Sequence, residues 1–292
     1  MTVLDNVLEG LMTRYKERVP AVNQVISAMV MEGLINSMSD IENDHIAFRT
    51  LGVPHLGIGS LEKIFLYYGY TKEDYYYFKK KKLDAYWYSP PSEQYPRIFI
   101  SELRVPELSS DLQALILFFT QRITADPVDS LNLDNSSDVN LFLHSPLWKT
   151  PSWDQYVRAQ EESEYAAWVL YNRYYLNHFT ISVHNLPPGY NTIEEFNMFL
   201  EKNKIILNDS NGKIKVSKDG LLIQSSTVAS IVTADFGGET HDIPGSYVEF
   251  AERRVLSEFT EEEKPKRSMR RDGFDTGNAD GMLVSNLRFK SG

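Results

Sequence analysis

The chain has no cysteine among its 292 residues. That excludes disulfides, thiolate metal sites and thiol nucleophiles, and gives secretion no support. No apolar run is long enough to span a bilayer, and no basic stretch leads into an apolar core at the N-terminus. The expectation is a cytoplasmic protein that does not enter membranes. Positive charge is also scarce: 30 Lys and Arg against 40 Asp and Glu leave a formal charge of −10. Nucleic-acid surfaces need clustered Lys and Arg, so nucleic acid is not an expected partner. The one basic run, Lys79 to Lys82, follows Tyr75-Tyr76-Tyr77-Phe78 and fits a solvated strand edge better than an anion site. Aromatic residues are plentiful, with 17 Tyr and 15 Phe, a supply that suits strands and pocket walls.

Residues 2–36 carry apolar positions at helical spacing (Leu4, Val7, Leu8, Leu11, Met12), with a second helix starting at Pro20. Asp44 to Thr50 alternates like a strand, and a helix is expected from Ser60, with Leu61, Phe65 and Leu66 on one side. Strands follow at 82–88 and 97–103. The middle of the chain differs: a helix over 111–122, an irregular polar connection over 126–151, and one long helix from Ser152 to about Tyr175. The earlier order then restarts. Asn177 to His184 alternates as a strand, and Thr192 begins a helix with Glu195 three residues on, a capping-box pattern. Strands are expected around 212–216, 221–225 and 246–255. The chain is read as a single domain over 1–292. Within it lie a helical N-terminal layer (1–40), a first strand–helix–strand module (41–106), a helical connection (107–175), a second module (176–256) and a C-terminal tail (257–292).

Successive strand side chains point to opposite faces, so His45, Ala47 and Arg49 share a face while Ile46 and Phe48 share the other. By strand rise the Cα atoms of His45 and Arg49 lie roughly 13 Å apart. Two histidines, His45 and His178, open the two matching modules and could meet around a pseudo-twofold axis. A carboxylate would complete a site, and Glu249, sharing a face with Tyr247 and Ala251, is the best candidate. Two neutral imidazoles and one carboxylate with open positions suit iron(II) in oxygen-activating enzymes, with zinc and manganese chemically possible. His184 and His241 are rival ligands, whereas His55 and His144 fit ordinary loop or packing roles.

Several strings together resemble a known family. They are His45-Ile46-Ala47-Phe48-Arg49, Asn177-His178-Phe179-Thr180, Tyr247-Val248-Glu249-Phe250-Ala251-Glu252-Arg253 and Gly273-Phe274-Asp275-Thr276-Gly277-Asn278-Ala279-Asp280. In this order they resemble the 2-oxoadipate dioxygenase/decarboxylase family of the vicinal oxygen chelate (glyoxalase-like) superfamily. The resemblance implies an α+β fold of paired βαβββ modules, forming a curved sheet around a metal site, with added N-terminal and central helices. It implies iron(II), Fe(2+), held by His45, His178 and Glu249, and a reaction taking 2-oxoadipate and dioxygen to 2-hydroxyglutarate and carbon dioxide. The expected partners are thus a small 2-oxo acid and dioxygen. Arg49 is expected to be catalytic by binding substrate, its planar fork suiting the far carboxylate of a dicarboxylate. A simple ion pair of Arg49 with Glu102 is the alternative. Ser182, four residues after His178, is expected to offer a weaker substrate contact. Other readings are an isomerase or extradiol-type dioxygenase of the same superfamily, or a non-catalytic binder of small molecules.

Overall fold

A computed structural model describes residues 2–278. Two helices open the chain, α1 (Val3–Arg18) and α2 (Pro20–Met31), with Pro20 at the first turn of the second. A first module follows: β1 (Asn43–Leu51), α3 (Ile58–Tyr67), β2 (Thr71–Phe78), β3 (Leu83–Ser89) and β4 (Arg97–Leu103). The connection holds α4 (Ser110–Thr120), α5 (Ser136–His144), α6 (Trp153–Glu162) and α7 (Glu164–Asn172). The second module is β5 (His178–Ser182), α8 (Ile193–Lys202), β6 (Lys215–Val216), β7 (Leu222–Ser226), a hairpin of β8 (Ile231–Asp235) and β9 (Thr240–Pro244), and β10 (Tyr247–Arg253).

The two modules share one sheet of eight strands in the order β2-β3-β4-β1-β5-β10-β7-β6. Each contributes its first strand at the centre, paired in parallel with its last: β1 with β4, and β5 with β10. The halves join where β1 and β5 run antiparallel, with Ala47 opposite His178. The sequence order of strands therefore reverses across the seam, as a pseudo-twofold axis requires, and the sheet curls into a half-barrel. This is the expected α+β architecture of paired βαβββ modules.

Alternation decides which residues face the helices. Phe48 of β1 packs on Phe65 of α3 with ring centroids 5.4 Å apart, and Phe250 of β10 packs on Phe196 of α8 at 5.2 Å. All four rings are fully buried, and each such burial stabilises by about 1.5–3 kcal/mol. The opposite faces of the same strands are thereby left to line the concave side.

Four local expectations need correction. The 126–151 stretch contains a helix, α5: its polar composition hides a stripe of Val139, Phe142 and Leu143, and the Asn135 side chain caps it by accepting from Ser137 N–H. The long helix over 152–175 is two helices, broken at Ser163, whose extended backbone (φ −147°, ψ 103°) and hydroxyl cap begin α7. The β8–β9 hairpin turns through Gly237 and Gly238, both at positive φ, and was not expected. Lys79 to Lys82 forms the turn between β2 and β3 rather than a strand edge. Of the tail string, Ala279 and Asp280 lie outside the described residues, as does the rest of the tail to 292. Among the described residues, no helix is long and apolar enough to cross a membrane.

The N-terminal layer reaches into the seam through one side chain. Tyr15 of α1, 2% exposed, donates its hydroxyl hydrogen to the Tyr247 carbonyl and accepts from Phe179 N–H at 3.3 Å. The hydroxyl thus bridges β5 and β10 beside their His178–Tyr247 pair. Replacing it as Tyr15→Phe would leave a buried N–H and a buried C=O unpaired. The expected loss in urea unfolding is about 1–3 kcal/mol; a loss below about 0.5 kcal/mol would remove the bridge from the account.

Candidate metal centre

Three adjacent strands at the seam each contribute one side chain. His45 comes from β1, His178 from β5 and Glu249 from β10, and one ligand atom of each lies within 4.8 Å of the others. His45 Nε2 is 3.3 Å from Glu249 Oε1, and His178 Nε2 is 3.4 Å from Glu249 Oε2. The two Nε2 atoms stand 3.3 Å apart. All three side chains are buried, and together they could hold a metal ion.

What lies behind the histidines fixes which nitrogen faces inward. Asp44 Oδ1 sits 2.7 Å from His45 Nδ1, and Asn177 Oδ1 sits 3.0 Å from His178 Nδ1. Each acceptor holds the proton on Nδ1, so each Nε2 turns its lone pair toward the other and toward Glu249. Two lone pairs facing across 3.3 Å, beside a buried carboxylate, form a site suited to a cation. That donor set fits a divalent transition metal.

Burial and neighbouring groups set the charge balance at the trio. Burial opposes ionisation of Glu249, yet His178, His45 and Gln224 outweigh it and hold its carboxyl below the usual range. Burial dominates at His178 and depresses its pKa to about 3, so it stays neutral and ready to coordinate. At His45 burial is outweighed by Asp44 and Glu249, and the pKa is raised. Asp44 is itself fully buried, and its carboxyl is held well below the ordinary value despite burial because Arg253 and Arg97 flank it. Arg253 grips it through two nitrogens at 2.6 and 2.9 Å, while Arg97 approaches to 3.4 Å.

The trio opens on a cavity whose lining includes Arg49, Phe99, Tyr247 and Phe274. Arg49 is 8% exposed, and its guanidinium lies over the rings of Tyr165 and Trp168 at 5.2 and 5.1 Å. Its Nε has no hydrogen-bond partner, and among the described residues no carboxylate pairs with it. The alternative pair with Glu102 does not form: that carboxylate accepts from Ile58 N–H at 2.9 Å. Phe274 closes one side, its ring 4.8 Å from His45 and 4.9 Å from Phe99.

Ser182 is not brought to this cavity. The strand face that carries it has run past the site, and its hydroxyl donates to Glu42 Oε1 at 3.1 Å. Neither rival ligand reaches the trio. His184 Nδ1 accepts from Arg253 N–H at 3.2 Å, and His241 stacks on Trp153 at 3.9 Å in the β8–β9 hairpin. The supporting residues Asp44, Asn177, Gln224 and Arg253 were not singled out as such from sequence. A signal for two of them was present, because an acid or amide immediately precedes each ligand histidine.

A family model described as 2-oxoadipate dioxygenase/decarboxylase matches residues 7–264. This chain belongs to that family. A 2-oxoadipate dioxygenase/decarboxylase of Arabidopsis thaliana, named as chloroplastic, is 41% identical over 299 residues, covering 97% of this chain and 77% of the relative. The crystal structure of a hydroxyglutarate synthase from Oryza sativa, in complex with 2-oxoadipate, superposes with a TM-score of 0.85 at 39% identity, covering 94% of this chain and 89% of that one. A glyoxalase superfamily protein from Ralstonia eutropha JMP134 shares the fold at a TM-score of 0.70, with 19% identity over 93% of this chain and 85% of its own. The chloroplastic relative overturns the cytoplasmic expectation. That expectation looked for an apolar signal, whereas plastid-targeting segments are amphipathic rather than apolar.

The half-buried His184, outside the site, makes a pH prediction. His184 has its pKa lowered to about 3, chiefly by burial, against about 6.5 when unfolded. Between those values the unfolded chain binds the extra proton, so stability falls as pH falls. At pH 5 this one group should remove about 2 kcal/mol. His184→Gln should therefore flatten the decline in unfolding free energy between pH 7 and pH 5; equal slopes in the two proteins would contradict the assignment.

Proposed function

We propose that this chain is an iron(II)-dependent 2-oxoadipate dioxygenase/decarboxylase, converting 2-oxoadipate and dioxygen to 2-hydroxyglutarate and carbon dioxide. One observation carries the reading: the cavity that contains the buried His45–His178–Glu249 trio also contains Arg49, a buried cation with an unpartnered Nε. A metal centre and a guanidinium that no carboxylate among the described residues neutralises, in one cavity, match the two ends of a 2-oxo dicarboxylic acid. The Oryza sativa relative, whose structure contains 2-oxoadipate, supports the choice of acid. The family name is that of an oxygen-consuming enzyme, which favours this reading over an isomerase or a non-catalytic binder.

His45, His178 and Glu249 would hold the metal, which when bound supplies the dioxygen chemistry and the oxidative loss of carbon dioxide. The protein's own tasks are binding, orientation and exclusion of water. Asp44 and Asn177 keep the protons of the two imidazoles on the outward nitrogens. Arg49 receives the far carboxylate, where its fork makes two parallel hydrogen bonds and sets the length of acid accepted. Tyr165 and Trp168 restrain the guanidinium by ring contacts rather than by neutralising it, so its charge stays available to the substrate. Phe99 and Phe274 shield the reacting end from bulk water.

The test is oxygen uptake by iron-reconstituted protein. Uptake with 2-oxoadipate and its near absence with 2-oxohexanoate, which lacks the far carboxylate, would support the reading. Arg49→Ala should lower kcat/KM for 2-oxoadipate by about a hundredfold or more while bound iron is unchanged. Unaltered turnover, or loss of iron in that variant, would remove Arg49 from substrate recognition.

A further inference from the structure

Glu249 can offer a metal one oxygen or two, and the number decides how many positions remain for other ligands. Its Oε1 is already engaged, accepting a hydrogen bond from Gln224 Nε2 at 2.5 Å. Gln224 stands on β7, diagonal to Glu249 on the same sheet face, since Glu249 pairs with Ser226 and Ala251 with Gln224. A primary amide can turn either end toward a neighbour, and only its NH2 end attracts a carboxylate. Something must therefore hold Gln224 the right way round.

Asn278 does so. Its Nδ2 donates to the Leu222 carbonyl at 3.2 Å and to Gln224 Oε1 at 2.9 Å. A backbone carbonyl can only accept, so the Leu222 oxygen fixes which end of the Asn278 amide faces inward. That end then claims the oxygen of Gln224, which leaves Gln224 Nε2 for Glu249. Gln224 is 4% and Asn278 2% exposed, so water does not compete for these bonds. A fixed carbonyl thus dictates, through two amides, the bonding of one oxygen at the centre.

We infer that Gln224 and Asn278 are positioning residues that reserve Glu249 Oε1 for a hydrogen bond, so that Glu249 gives the metal a single oxygen. The inference rests on the reading of the trio as an iron(II) centre. Two imidazole nitrogens and one carboxylate oxygen leave three of six positions, which a two-oxygen 2-oxo acid and dioxygen together require. A Glu249 bound through both oxygens would leave two, and one partner would be excluded.

The test uses the full chain loaded anaerobically with iron(II). Pyruvate serves as a minimal two-oxygen chelator, and nitric oxide as a dioxygen surrogate detected by electron paramagnetic resonance. Wild-type protein should bind nitric oxide equally well with or without pyruvate. Gln224→Leu frees Oε1, and Asn278→Asp, nearly isosteric, turns the Gln224 amide around. In both, nitric oxide affinity should fall by about tenfold or more only when pyruvate is present, a size in keeping with outer-layer substitutions at metal sites. Unchanged affinity in both variants would overturn the inference and leave the metal reading intact. Loss of iron in both would assign the pair to metal retention and overturn it equally. No iron bound by the wild type would instead sink the metal reading, and this inference with it.

Discussion

Glu249 is a carboxylate removed almost entirely from water, and the rest of the site is arranged to make that tolerable. An isolated buried carboxylate is destabilising by several kcal/mol, and such groups persist only when paired or coordinated. Here the partners are two imidazoles and one amide, each approaching from a different strand. None of these is a permanent cation. The arrangement is therefore best satisfied by a divalent ion, and the positive charge that would otherwise neutralise Glu249 is kept elsewhere: Arg253 and Arg97 are committed to Asp44, and Arg49 is held against aromatic rings.

That separation of charges ties the fold to the chemistry. The seam between the modules sets three strands side by side, and the register of β1 against β5 and β5 against β10 brings the ligands together. Segments distant in the chain then hold the centre in place. Arg253 joins Asp44 to the Gly273 carbonyl at 2.7 Å, and Tyr76 OH accepts from Phe274 N–H at 3.0 Å. Residues 272–278 thus form a wall of the cavity as well as a brace. The N-terminal layer contributes Tyr15 between two ligand-bearing strands. Disturbing Tyr15 or residues 272–278 would be felt at the His45–His178–Glu249 trio.

Much of this was legible in the sequence. Period-two alternation with β-branched and aromatic residues marked β1, β4, β5 and β10, and placed His45 with Arg49 and Tyr247 with Glu249 on shared faces. The meeting of strands 133 residues apart, His45 with His178, needed the recurrence of a strand–helix–strands order rather than any local pattern. Less legible were features without periodicity. A polar stretch concealed α5, and a single serine divided a long helix. The hairpin of β8 and β9 did carry a Gly-Gly turn signal, though half of its strand residues are exposed. Ser182 shows the limit of alternation: it predicts the face a side chain takes, not how far along the strand the cavity extends. The amide chain from Asn278 to Glu249 depends on tertiary contacts alone, and no spacing announces it.

The central claim is that two imidazoles and one carboxylate bind a single iron(II). X-ray absorption at the iron edge of anaerobically loaded protein tests it most directly. The account predicts a mixed nitrogen and oxygen shell with the outer-shell scattering of two imidazole rings. A shell of oxygen atoms without imidazole scattering would contradict it.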